Sequence, residues 1–318
     1  MEDIVLPIRE VPELWFFGTG TFAARSLALL TNSLRFSLVV TSPPSLGGRG
    51  LKQILSPVEE LCAERGIPLH RSRSVASDEE LLKALERSRP HSILVVDFGQ
   101  KIREPFLSTP LHGCLNIHPS LLPRYRGAAP VQRALMNGDD RTGVTLFRLV
   151  EEMDAGPILF QDDLCLAGHE TAGEVLDVLA ARGGKLYQKG VQCLIEGSCS
   201  FTDQNSESVS YAPKIANNEA EFFWHSPTRT ALNLIRALNP APGAFVQVDG
   251  KRLKVWEAAV SPLRGTPGQV LGFEGGCPVI GMEDGALVLR SVQPEGKKRM
   301  DGGEWARGVR LQTKGVLH

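Results

Sequence analysis

An amide and an imidazole stand two residues apart in Asn116-Ile117-His118, and a carboxylate follows in Met153-Asp154-Ala155-Gly156. In an extended segment, residues i and i+2 project to one side. Asn116 and His118 can therefore reach one reacting atom from the end of a strand. An amide N–H and an imidazole can stabilise charge developing on a carbonyl oxygen, and a carboxylate beside an imidazole helps it move a proton. Such a set suits transfer of an acyl group to an amine. Each residue alone has a plainer reading: a single histidine is usually a satisfied core or surface residue, and an aspartate before glycine is a common turn. The context favours chemistry. Pro119 and Pro123 break the chain after the pair, and Arg124, Tyr125 and Arg126 follow, which is more than a plain connector requires.

The elements that must hold these groups alternate. Strands are expected at Leu14–Phe17, Phe36–Thr41, Ser92–Val96, Gly113–His118, Gly143–Leu149 and Pro157–Leu164. Helices are expected at Phe22–Leu30, after Ser56-Pro57-Val58-Glu59, after Ser77-Asp78-Glu79-Glu80, at Ala129–Met136, and from Thr171 to about Ile195. The serine and threonine starts carry capping boxes. Continuous apolar strands alternating with helices predict an α/β unit with a mostly parallel sheet. Ser200–Ser210 is polar and linker-like. Beyond it, one helix (Ser226 to about Leu238) precedes five short strand-like runs: Ala244–Val248, Arg252–Val260, Gln269–Phe273, Pro278–Gly281 and Ala286–Val292. Asp249-Gly250 reads as a hairpin turn, and the pattern suggests a small barrel of OB type.

Bulk properties narrow the function. The chain has 318 residues, enough for two domains, and a net charge of -1, so its total charge implies no polyanion partner. From Arg290 onward there are 7 basic and 3 acidic residues, a local excess able to meet a phosphate backbone. The six cysteines contain no C-x-x-C pair, which argues against a structural zinc site and a disulfide framework and predicts reduced thiols in a cytoplasmic protein. The first residues match neither a secretory signal nor a transit peptide, and no apolar run is long enough to span a bilayer. Gly18-Thr19-Gly20-Thr21-Phe22-Ala23 partly fits the dinucleotide fingerprint, but Val39–Pro43 lacks the acidic residue that would hold a ribose. A tight strand–helix turn is the expected reading. The loop Thr41–Gly50, with Arg49 near its end, reads as a surface loop or as an arm that grips a bulky substrate.

These residues resemble a known family. NIHPSLLPRYRGAAPVQRAL is similar to the central active-site segment of methionyl-tRNA formyltransferases, and GVTLFRLVEEMDAGPIL to the signature of enzymes using 10-formyltetrahydrofolate. The likeness continues through Tyr211–Ile215, Ile235–Phe245 and Val292–Met300, covering essentially the whole chain. It implies a Rossmann-like formyltransferase domain over residues 1–200, a linker over 201–220, and an OB-like tRNA-binding domain over 221–318. It also implies a cytoplasmic, monomeric enzyme that moves the formyl group of 10-formyltetrahydrofolate to methionyl initiator tRNA without a metal. Asn116, His118 and Asp154 match the family's catalytic triad. Phe98, Gly99, Gln100, Lys101 and Ile102, with Ser120, Leu121, Leu122 and Pro123, fall where the folate is held. Arg49, Lys52, Arg124, Arg126, Lys297, Lys298 and Arg299 are the candidates for tRNA contact. Asp97 either faces the folate pocket or caps its strand end. Related folate enzymes acting on an amino sugar or a glycinamide nucleotide, and a hydrolase releasing formate, share the triad and stand as alternatives.

Overall fold

The computed structural model describes residues 12–47 and 52–317. Strands and helices alternate through the first two hundred residues. They are β1 (Leu14–Gly18), α1 (Thr21–Leu30), β2 (Phe36–Thr41), a hairpin of β3 (Ser45–Gly47) and β4 (Lys52–Ile54), α2 (Pro57–Arg65), β5 (Leu69–Arg71), α3 (Glu79–Ser88), β6 (Ser92–Val96), β7 (Cys114–His118), α4 (Pro130–Asn137), β8 (Arg141–Arg148), β9 (Ile158–Cys165) and α5 (Ala172–Glu196). The sheet order is β5-β2-β1-β6-β7-β8-β9. The strands from β5 to β7 run parallel, and β8 is antiparallel to β7. Every residue of β1 and β6 is buried, as strands covered on both faces require. The chain moves outward on one side of β1 and returns on the other at β6. The ends of β1 and β6 thus form the switch point where such sheets bind ligands.

Local chemistry sets the boundaries. Ser56 Oγ accepts from the Glu59 N–H at 3.1 Å, Pro57 opens α2, and Gly66 closes it in the left-handed region. The next helix starts one residue later than the sequence suggests: Asp78, not Ser77, caps α3, its Oδ1 accepting from the Leu81 N–H. Ser77 instead ends a short 3₁₀ turn.

Compaction divides the chain into two units built from interleaved stretches. One takes in the described residues up to Pro123, with Gly143–Asp162 and Asp177–Ser208. The other takes in Arg124–Thr142, Asp163–Leu176 and the described residues from Val209. In the second unit α4 packs on α6 (Thr228–Ala237). Arg133 of α4 ties the chain further on through Pro213 O, Lys214 O and the Glu219 carboxylate. That pairing holds Glu219 down to about 2.

The rest of this unit is an antiparallel sheet in the region where a small barrel is expected. Its strands are β10 (Ala244–Val248), β11 (Lys251–Ser261), β12 (Val270–Glu274), β13 (Cys277–Gly281), β14 (Ala286–Pro294) and β15 (Met300–Asp301). The order is β10-β11-β14-β13-β12, with β15 on β14. Asp249 and Gly250 both have positive φ, which a tight two-residue hairpin demands. A helix the sequence reading missed, α7 (Gly302–Gly308), starts at Asp301, whose carboxylate accepts from the N–H groups of Gly303 and Glu304. Its glycine-rich start disguises it, yet a Cβ on Gly302 would lie 1.8 Å from Leu289 O, so close approach requires glycine there.

One expectation is overturned. Cys193 and Cys199 form a disulfide. α5 ends at Glu196 and Gly197, at φ +67°, reverses the chain, which folds Cys199 back on the last turn of the helix. Spacing alone did not reveal this. Among the described residues no helix is long and apolar enough to cross a membrane.

Candidate active site

The first unit places Asp154 beside His118, with Asn116 two residues before His118 on the same strand. Asn116 and His118 lie on β7, paired across to Phe147 and Thr145 of β8. His118 is 5% exposed and stands edge-on to the Phe147 ring. Asp154 sits in the turn between β8 and β9, in the left-handed region at φ +52°, with its Oδ2 3.8 Å from His118 Nδ1. That distance is ion-pair range and longer than a hydrogen bond. The turn keeps its shape because Gly156 packs on the backbone: a Cβ there would lie 1.7 Å from Arg148 O. Asn116 Oδ1 is buried and has no hydrogen-bond partner among the described residues. An unpaired buried acceptor costs about 1–3 kcal/mol, a cost that a binding site can recover from a ligand donor.

The proline-broken segment after β7 is held by side chains from the next two strands. The Ser120 N–H returns to His118 O at 2.9 Å, closing a tight turn. Thr145 Oγ1 donates to Ser120 O at 2.7 Å and accepts from the Leu122 N–H at 3.1 Å. Gln161 Nε2 donates to Leu122 O at 2.8 Å and also to Thr145 Oγ1. Sequence reading missed Thr145 and Gln161. Their only local signal is a polar residue within a strand, Thr145 being fully buried.

At the switch point, Asp97 fills the place a cofactor phosphate would need. The N–H groups of Thr19 and Gly20 donate to Asp97 O, and those of Phe22 and Ala23, in the first turn of α1, donate to its carboxylate. The residue is exposed as a whole, but its carboxylate is tucked so close to Gly20 that a Cβ there would lie 1.9 Å from Oδ2. Desolvation raises this carboxyl above the usual range, against the two hydrogen bonds, which lower it. The Asp97 carboxylate caps α1, the helix of the neighbouring crossover, rather than its own strand end.

Residues 14–191 match the Formyl transferase family and residues 214–310 match its C-terminal domain. The methionyl-tRNA formyltransferase of Magnetococcus marinus is 38% identical over 294 residues, covering 92% of this chain and 94% of that one. The enzyme of the same name from Moorella thermoacetica is 38% identical over 309 residues, covering 96% and 98%. The chain belongs to the methionyl-tRNA formyltransferase family. Its fold also aligns with HypX from Aquifex aeolicus, solved with tetrahydrofolic acid, at a TM-score of 0.64 and 19% identity. The alignment takes in 95% of this chain and 48% of that longer protein.

In this formyltransferase the folate candidates follow β6 and β7. The Phe98 ring packs on Phe17, and Ile102 is buried in the core. Gln100 turns back to accept from the Val75 N–H and donate to Ser72 O. Gly99 and Lys101 are exposed. With these side chains anchored inward, the backbone of 98–101 is what the segment offers to a ligand. Ser120 and Leu122 are buried, while Leu121 and Pro123 are half-buried.

The basic candidates divide. Arg49 lies outside the described residues, and Lys52 begins β4. Arg124 pairs with Asp139 at 2.8 Å and lies over the Tyr125 ring. Arg126 is buried, which sets it apart from the surface cations. Lys297, Lys298 and Arg299 are exposed between β14 and β15. Arg299 reaches over the Trp256 ring, where Lys254 also lies. Arg252 and Lys254 alternate along β11 and share one face, and Lys254 reaches the ring of Trp256 beside the irregularity that follows Val255.

Proposed function

We propose that this chain transfers the formyl group of 10-formyltetrahydrofolate to the free amino group of methionyl initiator tRNA, in the cytoplasm and as a monomer. The observation that carries the reading is the Asp154 carboxylate 3.8 Å from the buried His118 ring, two residues after Asn116 on β7, on a chain whose relatives bear that enzyme's name. We assign residues 1–200 to folate binding and catalysis, 201–220 to the connection, and 221–318 to tRNA.

The donor supplies a formyl carbon activated by its bond to a folate nitrogen. The acceptor amine attacks as the neutral base. Asn116 Nδ2 donates to the formyl oxygen as negative charge develops there. Such a donor contributes ~3 kcal/mol, roughly a hundred- to thousandfold in rate. His118 shares this charge and passes the amine's proton towards the departing folate nitrogen. Asp154 orients the imidazole. A new C–N bond forms to the amine, the old one breaks, and the proton follows the leaving nitrogen, so no side chain is formylated. The exposed Lys297, Lys298 and Arg299, with Arg252 and Lys254, offer the charge that a phosphate backbone requires, and Trp256 offers a ring on which an unpaired base can stack.

Formyl transfer to methionyl initiator tRNA, measured at several salt concentrations, tests this. Product formation with apparent affinity falling steeply as salt rises is expected. Formate release to water, or formylation of an amino sugar instead, would move the acceptor to another class. A trapped formylated side chain in single turnover would overturn direct transfer.

A further inference from the structure

Asp154 sits in a turn that carries little regular structure. Within the turn the Ala155 N–H reaches Glu152 O at 3.4 Å, a long bond, and the Arg148 N–H closes the base on Pro157 O. Further support comes from fifty residues along the chain. Gln204 Nε2 donates to Asp154 O and to Gly156 O, each at 2.8 Å. The two hydrogens of one amide thus clasp the carbonyls on either side of Ala155, fixing the backbone on which the Asp154 carboxylate rides.

The stretch that carries Gln204 is itself braced. Thr202 exchanges two backbone hydrogen bonds with Ile158, at 2.8 and 2.9 Å, at the start of β9. The Phe201 ring lies under the Arg148 guanidinium, 4.0 Å from its central carbon to the ring centre. Cys199 is tied to α5 by its disulfide with Cys193. Residues 199–204 therefore grip both strand ends that flank the turn, and Gln204 is the member that reaches the aspartate.

We infer that Gln204 is a positioning residue for formyl transfer, acting through Asp154. The inference rests on the triad reading above. Asp154 Oδ2 already stands 3.8 Å from His118 Nδ1, so a further drift of its backbone would end its hold on the imidazole. Displacements near 1 Å in catalytic groups cost about a hundredfold.

The test is a double-mutant cycle. Gln204→Met keeps the length and removes both donors. In the wild-type background kcat should fall about ten- to hundredfold, with KM for donor and tRNA within about twofold. In the Asp154→Ala background the same change should lower kcat by less than about twofold, because the group it positions is gone. An equal fall in both backgrounds, or a fall in KM terms only, would overturn the inference. Should Gln204→Met not fold, Gln204→Glu, nearly the same shape but with an acceptor facing the two carbonyls, is read in the same cycle by the same criteria. Near-normal activity of Asp154→Ala would sink the triad reading and this inference with it. A crippled Asp154→Ala beside an unaffected Gln204→Met would sink this inference alone.

Discussion

Two strand ends in the parallel sheet put polar groups at the edge where such sheets bind ligands, and they treat those groups oppositely. After β1, the turn Gly18-Thr19-Gly20 and the first N–H groups of α1 are taken up by Asp97 from the end of β6. After β7, Asn116 keeps a buried oxygen that no described residue satisfies. The first end looks more like a ligand site in sequence, because it carries glycines at fingerprint spacing. The protein answers its own donors there with a carboxylate, which would repel a pyrophosphate. The second end has no such fingerprint, but it carries the unbalanced chemistry. A motif marks donors or acceptors; whether the chain already pairs them decides between scaffold and site.

The contrast can be broken most forcefully at β7. Asn116→Ala and His118→Ala should each lower kcat about 100- to 1000-fold in single-turnover formyl transfer, with the fold intact by circular dichroism. Activity within tenfold of wild type would remove that strand end from the mechanism. At the β1 end the expected effects are on stability. Gly18→Ala would put a Cβ 2.9 Å from Val96 O and 2.6 Å from the Phe16 ring, and overpacking of this kind should cost about 2 kcal/mol in urea denaturation. Gly20→Ala meets the Asp97 carboxylate first, which can swing away at the loss of a helix cap, so about 1 kcal/mol is expected. NAD should not raise the melting temperature of the wild type, and a clear rise would reopen the β1 end as a cofactor site.

The smallest effect concerns Asp97 and pH. Its carboxyl is raised in the fold, so the native state binds that proton more tightly than the unfolded chain. The stability this gives is present below the ordinary carboxylate pKa and is lost as pH rises through the raised value. Asp97→Asn retains an acceptor for Phe22 and Ala23 and removes the titration. Wild-type stability, measured against the variant, should therefore decline across the acid range. A rising difference would mean that the hydrogen bonds outweigh desolvation.

Much of this was legible because its causes are local. The capping serine of α2, the apolar runs of β1 and β6, the Asp-Gly hairpin and the Asn-x-His spacing each announce themselves within a few residues. What escaped notice depends on partners distant in sequence. Thr145 and Gln161 matter because of carbonyls on 120 and 122, and Gln204 because of a turn fifty residues earlier. The disulfide needed the reversal at Gly197 to be visible. The hairpin of β3 and β4 looks like loop in the sequence because its strands are three residues each and the stretch between them is rich in glycine. Asp97 could not be resolved from sequence, since the helix that it caps begins more than seventy residues before it.

The packing of α4 on α6 has a consequence for biosynthesis. Met136 of α4 packs against the apolar cluster that holds Ala231, Leu232 and Ile235 of α6, yet residues 228–237 emerge from the ribosome roughly ninety residues after it. At about 5–20 residues per second, the nascent chain carries that side of α4 uncovered for about 5–18 seconds. A chaperone that shields short amphipathic segments would find its target there, and a chain truncated near residue 208 would never bury it.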